Sequence, residues 1–339
     1  MTKVVQLQVE AWRRDLHQRP NHRTIVRSDL VIVPERRTRL LRLDPATGGP
    51  VWSAHVENTW GWLAAASDSV FYLNQHNRLQ CLALDTGEER WTADLRGING
   101  WLVPAGPVLL VGGWRGYGPL LALDVKTGVA RWQEDRRGGN AEPIVGPWGI
   151  AVASLEEPVI RFLAPETGAP HGEVPLPAHG QEPDASPLLR RHGDRLLLAG
   201  RDGRMHQLAT PRGPWTVLFE HADGIRTQAP PVVGSDVVFM DGAGHLNCYD
   251  VVAGERRWSA PWQHGRVDVL PAAASPRGML AVGSANGRLA VFGRDGAQLW
   301  SKTVARRIET DVAWLDDGAL LAGTTSSLIA VRPALGEPL

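Results

Sequence analysis

Short apolar runs punctuated by turn residues fill this chain from end to end. Pro230-Pro231-Val232-Val233 and Val237-Val238-Phe239-Met240 flank Gly234-Ser235-Asp236, and a further turn at Asp241-Gly242-Ala243-Gly244 leads into the next run. The stretch from Leu280 to Leu289 has the same arrangement around Asn286-Gly287. Period-two runs bounded by Gly, Asp and Asn predict strands joined by tight hairpins. A helical period is faint and confined to Val5–Arg14, so the expected class is all-β.

One element recurs. Leu41-Arg42-Leu43-Asp44-Pro45-Ala46-Thr47-Gly48 leads to Trp52, Leu82-Ala83-Leu84-Asp85-Thr86-Gly87 to Trp91, and Leu121-Ala122-Leu123-Asp124-Val125-Lys126-Thr127-Gly128 to Trp132. Weaker copies precede His171, Trp258 and Trp300, and the copy from Met205 to Trp215 is the most eroded. With Trp12 added, successive markers lie 39 to 44 residues apart, the period of four-stranded propeller blades. The Asp carboxylate can accept backbone N–H groups of the turn, Gly supplies a positive φ, and the returning Trp can cover apolar surface between blades.

The ends fit this pattern. Leu328-Ile329-Ala330-Val331 is a tag strand without a returning Trp, and Val9-Glu10-Ala11-Trp12 is a returning strand without a blade before it. Joined, they make one hybrid blade, which hides the exposed edges of an open sheet. The expectation is a closed β-propeller of about eight four-stranded blades, seven being the alternative if Met205–Trp215 belongs to an irregular insertion. It is one domain over 1–339, with 1–19 completing the last blade and 20–333 forming the tandem repeats.

The Leu-Ala-Leu-Asp-x-x-Thr-Gly-x-x-x-Trp pattern resembles the tryptophan-docking repeat of PQQ-like propellers, the quinoprotein alcohol dehydrogenase-like or BamB-like family. The resemblance covers nearly the whole chain and implies the fold; the family's functions range over enzymes, scaffolds and sensors. The quinoprotein enzymes in it carry adjacent cysteines against the quinone, a pair that Cys81 and Cys248 cannot form. No Glu, Asn and Asp set for Ca²⁺ stands out, so neither PQQ nor any other cofactor or metal is expected. The assembly lipoprotein's lipobox cysteine has no counterpart in Met1–Arg19.

Charge narrows the partners. Lys+Arg and Asp+Glu are 36 each, which leaves no global field to attract nucleic acid or an anionic membrane. No apolar stretch has the length of a membrane span, and the first twenty residues lack a secretory h-region, so a cytoplasmic protein is expected. Cys81 and Cys248 sit in apolar runs as small hydrophobes, which suits a reducing compartment.

Walker loops, His-Glu-x-x-His, Cys-x-x-Cys pairs and Gly-x-Ser-x-Gly elbows are absent from the sequence. The segments entering each innermost strand are richer. They bring Arg23, Trp60, Trp62, Trp101, Glu142, Asp184, Arg226, Arg266, Asp268 and Asp311 toward the axis, as a polar funnel with aromatics on one side. A ligand or peptide could stack on the tryptophans and pair with an arginine; the alternative is a set of charges neutralising one another around a solvated channel. Trp114 and Tyr117, flanked by glycines, form a second contact candidate on a loop. The expected function is a non-catalytic scaffold binding a protein or peptide partner through its face. The rival is a small-molecule lyase or hydrolase using the central funnel, with Glu142, Asp184, Asp268 or Asp311 as acid or base, and a metabolite sensor using the same funnel is a third reading.

Overall fold

The computed structural model describes residues 9–16, 24–35, 38–57, 61–95, 100–113, 119–136, 141–154, 157–177, 189–200, 202–227, 230–262 and 271–335. Among them every regular element is a strand. Thirty-two strands form eight antiparallel four-stranded sheets. Blade 1 is β2–β5, running from Ile25–Val26 to Pro50–His55, and blade 2 is β6–β9, from Gly61–Ala66 to Glu89–Asp94. Blades 3 to 7 continue in steps of four strands, ending with β29 at Gln298–Thr303. Blade 8 is the hybrid: β30 (Ile308–Trp314), β31 (Leu320–Thr324) and β32 (Ser327–Arg332) are completed by β1 (Val9–Asp15). The β1–β32 register runs from Val9 opposite Arg332 to Asp15 opposite Ser327. The fold is therefore an eight-bladed β-propeller.

Innermost strands touch around the axis at most of the blade junctions, and β2 meets both β6 and β30, which closes the ring. Antiparallel pairing puts the entries to these strands and the second hairpin of each blade on one rim, the mouth. The first hairpins and the Asp-Gly tag turns lie on the other. The core is a series of sheet-to-sheet layers, such as Ile32, Leu40, Trp52 and Ala54 of blade 1 against Val70, Tyr72 and Leu82 of blade 2.

The tag turns explain their residues. Asp124 Oδ1 accepts the N–H groups of Lys126 and Thr127 at 2.9 Å each, and the side chain pairs with Arg131. Gly87 has φ +74°, and a Cβ there would sit 2.7 Å from the Trp52 ring. The glycine is thus required by both its backbone and the indole that lies on it. Trp12, Trp91 and Trp132 cover Gly48, Gly128 and Gly168 in the same way. Each indole also donates to a carbonyl of the next blade's turn: Trp12 to Pro45, Trp52 to Leu84, Trp91 to Val125 and Trp132 to Pro165, at 2.8–3.1 Å. A large apolar ring is buried there with its one polar atom satisfied.

Blade 5 breaks the series on both sides. Register places Gly172, paired with Phe162, at the Trp position of blade 4, so His171 is one residue early as a marker. Pro211 from the blade 5 turn approaches to 2.8 Å of where a Cβ would be on Gly172. The bulky residue and the glycine have changed sides. In blade 5 the Trp position falls on Thr216, opposite Gln207. Trp215, one residue earlier, instead bonds back to Pro175 of blade 4 at 2.9 Å. Toward blade 6, Phe219 stacks on Tyr249 with centroids 4.0 Å apart.

Candidate functional site

The mouth is built by the entries to the innermost strands. On β30, Thr310 Oγ1 accepts the Gly323 N–H at 2.7 Å; Thr227, ahead of β22 (Val232–Val233), accepts that of Met240 at 2.9 Å. These hydroxyls fix the backbone, and Asp311 follows Thr310 directly. Glu142 lies two residues before β14 (Ile144–Gly146), and Arg190 is the second residue of β18 (Leu189–His192).

These three groups form one electrostatic set. Burial pulls the Arg190 guanidinium below its ordinary range, and the carboxylates of Glu142 and Asp311 oppose that pull. Burial pushes the Asp311 carboxyl up, and Arg190 partly restores it. Asp311 is open to solvent by area, yet protein crowds it, as expected of a side chain in a narrow channel between converging strands. Arg190 also donates to the Leu189 carbonyl at 3.2 Å. Two carboxylates from opposite parts of the ring thus converge on a cation, an arrangement suited to recognising a dipolar group rather than to isolating a general base.

Glu142 and Asp311 are the sequence candidates that the structure joins, and Arg190 is the member that sequence reading missed. It lies in the blade whose tag, Met205–Trp215, is eroded, so no tag fixes its strand; its signal was the Arg190-Arg191 pair closing the short run Pro187-Leu188-Leu189. Arg226 is exposed on the mouth rim, with its N–H bonded to Met240 O at 2.8 Å. Trp62 is half-buried and packs against the blade 3 layers. Trp101 is 2% exposed, set in the layer between blades 3 and 4 with Ala105, Ile150 and Val152. Arg23, Trp60, Asp184, Arg266, Asp268, Trp114 and Tyr117 lie outside the described residues.

A second polar group sits on the same rim between blades 5 and 6. His221 Nδ1 contacts Tyr249 Oη at 2.9 Å and Nε2 contacts Asp241 Oδ2 at 3.1 Å, while Asn247 donates to the same oxygen at 2.8 Å. Burial raises the Asp241 carboxyl, but the His245 N–H, Asn247 and His221 outweigh it and hold the group below its usual range. Asp223 stands close enough to complete three potential metal ligands. Both His221 nitrogens and both Asp241 oxygens are already engaged by protein, so the group reads as a structural clasp.

The profile of the outer membrane protein assembly factor BamB matches residues 36–154 and 156–332. The chain belongs to that family. Solved structures that share the fold include BamB, a designed protein and quinohemoprotein dehydrogenases. BamB from Moraxella catarrhalis superposes with a TM-score of 0.70 at 16% identity, covering 98% of this chain and 100% of that one. The computationally designed Ika8 protein gives 0.72 at 14%, covering 96% and 99%. Quinohemoprotein alcohol dehydrogenase from Comamonas testosteroni gives 0.69 at 13%, covering 98% of this chain and 78% of the enzyme. Identities this low carry the fold alone. No curated protein matches the chain.

Because dehydrogenases share this fold, a quinone can be tested against the residues present. Cys81 and Cys248 are free and buried, on β8 (Arg78–Ala83) and β24 (His245–Asp250) in blades 2 and 6. Burial and Asp236 push the Cys248 thiol up to about 12. The described axial carboxylates face Arg190, a fixed positive charge where a metal-assisted quinone would need a cation site. These residues do not fit that group.

Proposed function

We propose that this BamB-type propeller is a non-catalytic scaffold that binds a protein or peptide partner through its mouth, acting in the cytoplasm and without a quinone. The observation that carries the reading is the electrostatic coupling of Arg190, Glu142 and Asp311, contributed by three different blades at the entries to their innermost strands. A partner's backbone or paired side chains offer the donors and acceptors that such a set can match, with the exposed Arg226 adding a donor on the blade 6 side of the rim. The description of the family as an assembly factor supports the same reading. The one feature favouring a small-molecule reading is the raised Asp311 carboxyl, which could hold a proton for transfer.

The test is affinity capture from native extract with wild-type protein beside an Arg190→Ala, Arg226→Ala variant. A stoichiometric protein partner kept by the wild type and lost by the variant is the expected result. Capture unaffected by the double change, or turnover of a small molecule by the purified wild type that Asp311→Asn abolishes, overturns it.

A further inference from the structure

The outer flank of the ring holds a cleft of about 570 Å³ between blades 3 and 4, lined by Gln133, Glu134, Asp135, Arg136, Arg161 and Glu173 with the backbone of Gly168, Pro170 and Gly172. Its volume falls within the range of small-ligand sites. Arg161, on β16 (Val159–Leu163), occupies a strand position held by Leu41, Leu121 and Ile329 in other blades and turns toward the preceding blade. Its side chain is only 3% exposed, and Nη1 donates to Glu134 Oε1 at 3.0 Å.

Nε and Nη2 of Arg161 are buried with no partner. Together they form one complete side of the guanidinium, the two-pronged edge that matches a carboxylate. A buried charge left half-satisfied is costly, so a filled prong pair would be favoured. Glu173 stands directly across the strand pair yet turns to Arg136 at 3.7 Å. The remaining carboxylates make the cleft unsuited to a simple anion. Glu134 and Asp135 are engaged by Arg161 and Gln133, and Glu173, 45% exposed, is held only loosely.

We infer that this cleft binds a small zwitterion of the α-amino acid or dipeptide class, its carboxylate in the empty edge of Arg161 and its ammonium on Glu173. The ligand's own two charges match the pair of opposite charges in the site, which neither an anion nor a cation would do. The cleft is separate from the mouth, so the outcome is independent of the scaffold reading.

Calorimetric titration with a panel of free L-α-amino acids and dipeptides tests it. Saturable binding by at least one member is expected, with its N-acetyl and carboxamide derivatives about tenfold or more weaker. Arg161→Met keeps the volume and removes the prongs, and should abolish binding; Arg161→Lys should retain part of it. Glu173→Gln leaves Arg161 intact, and should weaken the free zwitterion while sparing the N-acetyl derivative. Absence of binding across the panel, or equal binding by Arg161→Met or by the blocked derivatives, overturns the assignment. A binder confined to dipeptides rather than free amino acids identifies a source in which the two charges are further apart.

Discussion

Asp311 is a carboxyl that the fold does not favour. Its pKa is raised in the folded chain, so the carboxylate works against stability above the unfolded value of about 3.9, and the penalty vanishes once both states are protonated. Asp311→Asn should therefore leave the urea midpoint at neutral pH unchanged or higher, with the gain disappearing below about pH 4. A fall in midpoint at neutral pH would mean that its pairing with Arg190 outweighs burial. Asp311 and Glu142 were legible in the sequence because the repeat fixes where each strand enters the mouth. Arg161 was hidden for the opposite reason: Val159-Ile160-Arg161-Phe162-Leu163 reads as an apolar strand with one charge in it, and only packing reveals that the charge has kept two donors in hand. Trp101 likewise has the right entry position, but its side chain turns into the layer between blades.

Among the elements, blade 5 is held differently from its neighbours. Where blades 1 to 3 each offer an indole to a glycine, blade 5 meets blade 4 through Gly172 and Pro211 and meets blade 6 through Phe219, Tyr249 and the His221–Asp241 clasp. The erosion of the tag at Met205–Trp215 is the sequence mark of this change; the compensating residues were illegible because they pair across blades, not along the chain. The clasp adds an acid dependence. The Asp241 carboxyl is held low, so its stabilisation is present above the unfolded value of about 3.9 and is lost as pH falls through the lower folded value. Hydrogen exchange should show β21 (Thr216–Glu220) and β24 losing protection before β8 and β9 as pH drops toward that window. Asp241→Asn should remove this difference; loss of protection that is uniform around the ring at every pH would show that the clasp carries no separate share.

At the scale of the whole molecule, stability depends on closure. Among the described residues each of the eight blades is a single four-stranded sheet that relies on its two neighbours to cover its faces. The repeat period and the unmatched ends made both the blade count and the hybrid blade readable, since a strand lacking its returning partner needs one from the other end. Removing residues 1–16 would leave β32 as an open edge and strip Trp12 from Gly48. The truncated chain should elute as aggregates or oligomers and unfold at lower urea, as measured by size-exclusion chromatography and a denaturation curve. A monomer with an unchanged midpoint would show that the first strand is dispensable.

The same hybrid blade imposes an order of events on a ribosome. β1 is made first, but its partner β32 begins at Ser327; at about 5–20 residues per second the early strand waits roughly 15–60 s for it. Throughout that delay it is an unpaired strand in a crowded cell. Glu10, Arg13, Arg14 and Asp15 make four of its seven residues charged, so that a segment destined to seal the ring is, until then, a poor template for any other strand.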